Sequence, residues 1–185
     1  GLRTANELEA KINELGAENV AAFIAETVVG ATAGAVAPVA GYFKRIREIC
    51  DKYGIHLILD EVMCGTGRTG TMMAYEQEGI YPDIVTMAKG LAAGYQPAGA
   101  VLCTDQIIDV IRDGTGFFQH GHTFMGHATA VAASLATLQT IESEDLLKNV
   151  RVRGSSLRQG LRDALADHPN VGDVRGRGLF IGIEF

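Results

Sequence analysis

The chain of 185 residues is long enough for one ordinary domain, and its 47% hydrophobic and 21% charged residues are typical of globular proteins. The net charge of −6 argues against a nucleic-acid partner, and no apolar run is long enough to span a membrane. The three cysteines lack the spacing of a zinc site or a disulfide framework. We therefore expect a soluble enzyme or binding domain in a reducing compartment, and we predict that this compartment is the cytoplasm.

The first part of the chain alternates helical and strand patterns. In chain order, these patterns predict a helix over residues 4–15, a strand over 20–25, a helix over 39–53, a strand over 55–59, a short helix over 72–78, and strands over 83–88 and 99–103. Thr4 and Glu7 have the spacing of a capping box, which predicts the start of the first helix, and Gly16 and Gly54 end the first two helices. The first strand is apolar throughout, which predicts burial on both faces. The first two strands and the helix between them form a βαβ unit, so we predict an α/β fold with a mostly parallel sheet flanked by helices.

The second part of the chain is mostly helical. In order, it predicts a helix over 105–112, a long aromatic loop over 114–124, helices over 127–142 and 143–167, and strands over 171–174 and 179–185. Ser143 is the predicted N-cap of the long helix, with Glu144 and Asp145 in its first turn. Two glycines within residues 175–178 predict the turn between the last two strands. Four arginines alternate with apolar residues on the long helix, which predicts a solvated face: Arg151, Arg153, Arg158 and Arg162.

One ionisable residue follows each of two central strands. Asp60 and Lys89 come directly after the strands 55–59 and 83–88, and ligands bind at the carboxyl ends of strands in open α/β sheets. Lys89 has small and apolar neighbours, so we expect a desolvated lysine that can act as a Schiff-base amine. Asp60 either caps the next turn or pairs with a pyridinium nitrogen, in which case Val62 packs on the ring if the extended conformation continues. A carboxylate and an amine at one rim are what pyridoxal-phosphate chemistry needs.

Two other motifs point to different chemistry. Gly65-x-Gly67-x-x-Gly70 matches the dinucleotide-binding fingerprint, although residues 60–64 separate it from the strand and only a short helix follows. His120, His122 and His127 suggest a metal, although no nearby acid or cysteine completes a ligand set. We therefore predict no metal site, and we keep a dinucleotide-binding oxidoreductase that uses residues 65–70 as an alternative function.

Four segments together resemble the class III (ω-) aminotransferases of the PLP-dependent fold-type I superfamily: LILDEVMCGTGRTG at 57–70, PDIVTMAKGLAAGYQPAGAVL at 82–102, HGHTFMGH at 120–127 and VGDVRGRGLFIGIEF at 171–185. The resemblance implies that Lys89 holds pyridoxal 5′-phosphate (PLP) as a Schiff base and then acts as general base. Asp60 would pair with the pyridine nitrogen and Val62 would press on the ring. Thr123 would reach the cofactor phosphate of the partner in a homodimer with a shared active site.

The implied reaction moves an amino group from an ω-amino acid or amine donor to an oxo-acid acceptor such as pyruvate. Met63 stands where many members have Gln, which favours the amine or β-alanine–pyruvate branch. Glu26 is followed by Thr27 instead of the common Pro, so Glu26 is a substrate-contact candidate with strand-end structure as its alternative. Aminomutase, decarboxylase or racemase chemistry would use the same Asp60 and Lys89. A non-catalytic interaction domain is a further alternative.

The resemblance also implies a division of the chain. Residues 1–142 would belong to the PLP-binding large domain, 143–170 would form a connecting helix, and 171–185 would be the first strands of a small C-terminal domain. The family's phosphate-binding Gly-Ser segment and ring-stacking aromatic would lie before Gly1, and its substrate-carboxylate arginine after Phe185. We therefore expect the isolated chain to bind PLP poorly and to be inactive.

Overall fold

The computed structural model describes residues 1–185, in which five α-helices and six β-strands follow one another. The helices are α1 (Leu2–Leu15), α2 (Tyr42–Tyr53), α3 (Asp105–Asp113), α4 (Ala128–Ser143) and α5 (Leu146–Leu165). The strands are β1 (Ala22–Glu26), β2 (His56–Asp60), β3 (Ile84–Met87), β4 (Ala100–Cys103), β5 (Asp173–Arg177) and β6 (Phe180–Glu184). Short 3-10 helices cover Ala17–Asn19, Ala74–Glu78 and Lys89–Ala92. No helix is both long enough and apolar enough to cross a membrane.

The main sheet has the order β1-β2-β3-β4, with three parallel strands and β4 antiparallel to β3. The predicted α/β class and the βαβ unit of β1, α2 and β2 are therefore confirmed. Asp60, the last residue of β2, lies opposite Glu26 of β1 and Thr86 of β3. The prediction that β1 is buried on both faces is wrong, because Ile24 is 62% exposed. Its neighbours Phe23 and Ala25 pack on the core from the other face of this edge strand.

The main core lies between the sheet and helices α1 and α2. Its ten buried residues are Ala5, Ile12, Phe43, Ile46, Ile49, Cys50, Ile55, Leu57, Leu59 and Ile80. Helix α2 presents an apolar stripe to this core, and each large side chain buried there contributes about 1.5–3 kcal/mol to stability. As predicted, α2 ends at Gly54, which has a φ of 65° and donates its N–H to the carbonyls of Cys50 and Asp51.

Two predicted helix starts are wrong. Helix α1 begins at Leu2 and Thr4 lies inside it, because the two preceding residues already take the helical conformation and leave no place for a cap. Ser143 is the last residue of α4, and α5 begins only at Leu146. Asp145 takes a left-handed conformation with a φ of 49°, which separates the two helices. Aspartate is among the few residues that adopt this conformation readily.

Three arginines of α5 bind backbone carbonyls. The predicted solvated helix face is confirmed for Arg151, Arg153 and Arg162, which are exposed, and is wrong for Arg158, which is half-buried. Arg151 donates to the carbonyl of Gly70 at 2.6 Å and Arg158 to that of Gly176 at 2.8 Å. Arg162 donates twice to the carbonyl of Val174, at 3.2 and 3.1 Å. Because the guanidinium group lies at the end of a long apolar stem, these side chains cross the helix surface and join α5 to the segments beside it.

Strands β5 and β6 form an antiparallel hairpin that packs on the rest of the chain. The ladder runs through Gly176 and Arg177, so the turn is shorter and later than the predicted one. Arg177 pairs with Glu78 at 2.6 Å. The backbone of the hairpin also lies directly against the backbone of the rest of the chain. At Gly178 there is no room for a side chain, since an added Cβ would lie 2.6 Å from the Arg68 carbonyl oxygen. A Cβ at Gly182 would collide with the carbonyl of Gly34 in the same way.

Candidate active site

The carboxyl ends of the three parallel strands meet at one edge of the sheet. Glu26 ends β1, Asp60 ends β2, and the two are direct neighbours in the register. Thr86 of β3 lies beside Asp60, and the chain reaches Lys89 immediately after the end of β3. The fold therefore brings a carboxylate and an amine to the same rim, on adjacent strands.

Asp60 is half-buried and uses one carboxylate oxygen within the chain. Its Oδ1 accepts the backbone N–H of Val62 at 2.8 Å, whereas Oδ2 has no hydrogen-bond partner in the chain. The residue thus caps the turn and still offers an acceptor at the rim. The extended conformation does not continue to Val62, because residues 62–69 form successive turns. The expected placement of Val62 on the Asp60 side of an extended strand is therefore wrong, and Val62 lies in the turn itself.

Lys89 begins the 3-10 helix Lys89–Ala92 in a left-handed conformation with a φ of 45°. Such a conformation is uncommon for a residue with a side chain and costs on the order of 1–3 kcal/mol. Lys89 is exposed and forms no hydrogen bond or ion pair within the chain, so the expectation of a desolvated lysine is wrong here. Its apolar neighbours Met87 and Leu91 are buried in a separate small cluster, against which Leu138 of α4 packs. The side chain of Lys89 is not covered by this cluster and stays exposed.

The glycine-rich turn packs against the lysine turn. Thr66 is buried and left-handed, with a φ of 51°. A Cβ at Gly90 would lie 3.3 Å from the Cβ of Thr66. Two turns with unusual backbone conformations are thus in contact at the rim, which fixes where the backbone of Lys89 lies.

Glu26 and Met63 lie on either side of Gly30. The Oε2 atom of Glu26 accepts the N–H of Gly30 at 2.8 Å. A Cβ at Gly30 would approach the Met63 sulfur to 2.5 Å and the same Glu26 oxygen to 2.9 Å. Glu26 therefore has the strand-end role that was its structural alternative, and Met63 stands beside it at the edge of the sheet.

Thr123 lies in the exposed loop between α3 and α4 and makes no hydrogen bond to Asp60 or Lys89. In the same loop, the rings of His120 and His122 are in edge contact at 5.0 Å. His127 caps α4, since its Nδ1 accepts the N–H of Ala130 at 3.3 Å. The side chains of the chain form no cluster of three or more metal-ligating residues.

The three glycines of the dinucleotide-like motif pack against protein. A Cβ at Gly65 would lie 2.7 Å from the Glu61 carbonyl oxygen, one at Gly67 would lie 3.0 Å from Leu147, and one at Gly70 would lie 2.7 Å from Arg151. No α-helix opens after the motif, because Ala74–Glu78 is a short 3-10 helix. Since a dinucleotide site needs a helix N-terminus for the pyrophosphate, the geometry does not support this alternative.

Sequence reasoning missed Glu61, which is only 1% exposed. Its carboxylate accepts hydrogen bonds from the hydroxyl of Thr27 at 2.6 Å and from the backbone N–H groups of Ala74 and Tyr75 at 2.8 and 3.0 Å. Burial, and then the nearby negative charge of Glu61, raise the pKa of Cys64 to about 12, so this thiol is no nucleophile. The sequence contained one indication of a separate role for Glu61. Successive residues of a strand face opposite sides, so Glu61, which follows Asp60, is expected to point away from it.

Comparison with known proteins agrees with this geometry. The family model for class III aminotransferases matches residues 2–185. An aminotransferase of Gibberella zeae is 51% identical over 98% of the chain, and the taurine–pyruvate aminotransferase of Bilophila wadsworthia is 44% identical over all of it. The solved structure of the ω-transaminase from Pseudomonas jessenii in complex with PMP aligns over 99% of the chain with a TM-score of 0.92 and 41% identity.

The chain spans 35% and 41% of the lengths of the two relatives, and 41% of the solved structure. The matched region contains the parallel strands that carry Asp60 and Lys89. The chain belongs to the class III aminotransferases, a PLP-dependent family with the fold of the type I enzymes.

Proposed function

We propose that the protein containing this chain is an aminotransferase that moves an amino group from an ω-amino acid or amine to an oxo acid such as pyruvate. One observation carries the proposal. Asp60, with a free carboxylate oxygen, and Lys89, with a free amine, follow adjacent parallel strands at the carboxyl edge of the sheet. Membership of the class III family supports the same conclusion.

The residues at the rim fit PLP. Lys89 would hold it through its amine, and the unpaired Oδ2 of Asp60 would accept a hydrogen bond from the protonated ring nitrogen. PLP supplies a carbonyl group that condenses with amines and a ring that withdraws electrons from the substrate. Val62, in the turn that Asp60 caps, would contact the ring.

The work of the protein is then to keep one proton in place and to move another. Asp60 keeps the proton on the ring nitrogen, because a carboxylate stabilises the neighbouring cation. Lys89 would act as the general base that takes a proton from the amine-bearing carbon of the substrate and would return it at the C4′ carbon of the cofactor. The uncovered position of Lys89 gives its side chain room for both roles.

The substrate proposal is supported by a relative and by Met63. The taurine–pyruvate aminotransferase that is 44% identical to the chain has an ω-amine as donor and pyruvate as acceptor. Met63 gives the edge beside Glu26 an apolar side chain where an amide would form hydrogen bonds. Dependence on an oxo acid separates this reaction from that of an aminomutase or a racemase, neither of which needs an oxo acid.

We also propose a homodimer with a shared active site, in the cytoplasm. Large apolar side chains are exposed on β4, on the loop after α3 and on α4: Val101, Phe117, Phe118, Phe124, Val131 and Leu135. So many exposed apolar side chains indicate an interaction surface, and we propose a second copy as the partner. Thr123 lies in the same loop, consistent with a contact to the partner's cofactor phosphate. Because the chain belongs to the class III family, we also propose that residues 1–142 are part of the large domain, 143–170 the connecting helix and 171–185 the first strands of the small domain.

The proposal is tested by borohydride trapping on the complete gene product. After incubation with PLP and reduction, peptide mapping is expected to find the pyridoxyl group on Lys89. The Lys89→Ala variant should lose the adduct, whereas Lys148→Ala, which removes an exposed lysine of α5, should keep it. A folded wild-type protein without an adduct at Lys89 would refute the proposal. Reduction of a nicotinamide by Lys89→Ala would instead indicate an oxidoreductase.

A further inference from the structure

The carboxylate of Glu61 is surrounded by hydrogen-bond donors, although it lies directly after the proposed cofactor ligand Asp60. Oε1 accepts from the Thr27 hydroxyl at 2.6 Å and from the Tyr75 N–H at 3.0 Å. Oε2 accepts from the Ala74 N–H at 2.8 Å and from the Cys64 thiol at 3.5 Å. The carboxylate lies in the protein interior, because Glu61 is 1% exposed.

These donors come from three segments that meet at the rim. Thr27 follows the end of β1, Cys64 belongs to the turn after β2, and Ala74–Glu78 is the 3-10 helix beyond the glycines. The backbone of Glu61 is fixed as well, since its N–H donates to the carbonyl of Thr86 at 2.9 Å and its carbonyl accepts the N–H of Gly65 at 2.9 Å. Glu61 therefore ties the residue after Asp60 to β1, β3 and the glycine-rich turn at once.

Only a carboxylate matches this arrangement. An ionised carboxyl group has acceptor lone pairs and no donor, which suits four groups that all donate. An amide of the same size would direct its NH2 group at one of the N–H donors and leave that donor unpaired in the interior, where an unmade hydrogen bond is costly. The residue next to Asp60 thus has a specific chemical requirement that a merely apolar core position would not have.

We propose that Glu61 is a positioning residue for the cofactor site. It holds the peptide that carries Asp60, and through Thr86 the end of β3, so that the free oxygen of Asp60 stays aligned with the ring nitrogen of PLP. The inference rests on the proposed function. Glu61 itself does not touch the cofactor, and its effect is exerted through Asp60.

The test uses the complete gene product and variants of both partners in the shortest hydrogen bond. Glu61→Gln replaces the carboxylate, Thr27→Val removes one donor with little change of shape, and Thr27→Ser keeps the hydroxyl. Ile46→Val is the matched control, because it loosens the fully buried core under α2 away from the rim. Three quantities are measured for each protein: the melting temperature without cofactor, the Kd for PLP, and the pH midpoint of the visible absorbance of the bound cofactor.

We expect Glu61→Gln to raise the Kd for PLP by about tenfold or more and to shift the absorbance midpoint, since one buried donor is left unpaired beside Asp60. Thr27→Val should shift both in the same direction by a smaller amount, and Thr27→Ser should restore wild-type values. Ile46→Val should lower only the melting temperature.

If the Thr27 and Glu61 variants change the melting temperature and leave the Kd and the pH midpoint at wild-type values, the residue is only structural and the inference is overturned. The Thr27 pair decides the question even if Glu61→Gln does not fold. A wild-type protein that binds no PLP overturns the proposed function itself, which distinguishes the two failures.

Discussion

Replacing Asp60 by Asn tests the electrostatic part of the proposed mechanism with little change to the fold. The side-chain oxygen of Asn can still accept the N–H of Val62, a hydrogen bond of 2.8 Å in the native chain. The negative charge beside the cofactor is lost. A carboxylate and a cation at the ordinary ion-pair separation of about 4 Å attract each other by about 4 kcal/mol at an effective dielectric constant of about 20.

This attraction sets the expected loss of activity. About 4 kcal/mol corresponds to roughly three pKa units, so the ring nitrogen of the bound cofactor should be largely unprotonated at neutral pH. We expect kcat to fall by about 1,000-fold. The assay is pyruvate-dependent turnover of an amine by the complete gene product, together with a pH titration of the cofactor absorbance.

The melting temperature provides the structural control for Asp60→Asn. It should stay near the wild-type value, whereas Asp60→Ala, which also removes the acceptor for Val62, should cost about 1 kcal/mol of stability. A kcat of Asp60→Asn within about threefold of wild type, measured with PLP bound, would refute the role given to Asp60.

Three further predictions concern stability and reactivity. Gly65→Ala should cost about 1–3 kcal/mol in denaturant unfolding, because its Cβ would lie 2.7 Å from a backbone carbonyl oxygen, whereas Gly160→Ala in open space on α5 should stabilise by about 0.5–1 kcal/mol. Equal effects of the two would contradict the packing argument. Although desolvation opposes the change, a backbone N–H and the Arg47 guanidinium hold the pKa of Asp83 below its ordinary value. The stabilisation by Asp83 is therefore fully present at neutral pH, and the difference in unfolding free energy between wild type and Asp83→Asn should shrink as the pH falls below about 4; a difference independent of pH would contradict this. Cys64, whose pKa is about 12, should resist iodoacetamide at pH 8 until the protein unfolds, as mass spectrometry can show; rapid labelling of the folded protein would disprove its burial.

The fold could be predicted from the sequence because its signals are local and repeated. Apolar runs predicted every strand of the main sheet, and their alternation with an amphipathic helix predicted the parallel pairing of β1 with β2. The same strand ends pointed to Asp60 and Lys89, since parallel strands bring their carboxyl ends to one edge.

The errors arose where tertiary contacts decide between local alternatives. Thr4 and Ser143 both have the chemistry of a cap, but Thr4 lies inside α1 and Ser143 is the last residue of α4. The alternation of arginines on α5 predicted a solvated face, but only the packing of the hairpin shows that Arg158 and Arg162 bind its carbonyls. The exposure of Lys89 likewise depends on which segments cover it, which its own neighbours in the chain do not determine.

The role of Glu61 was missed for a related reason. Its partners Thr27, after the end of β1, and Tyr75, in the 3-10 helix Ala74–Glu78, are distant from it in the chain and converge only when the sheet is formed. The sequence alone does not show whether the acidic residue after Asp60 is buried or exposed to solvent, because burial of an acid is recognised only from the hydrogen-bond donors around it.

The close packing of the β5–β6 hairpin backbone on the backbone of the rest of the chain limits which positions of this protein can be mutated. Gly178 and Gly182 lie where any added carbon would meet main chain, which cannot move aside as a side chain can. A mutant library that includes these positions would consist mostly of misfolded members. Mutations intended to accept a new amine substrate are better placed at Met63. Its flexible thioether lies beside Glu26 at the edge of the sheet, and replacing it does not disturb the backbone contact of the hairpin.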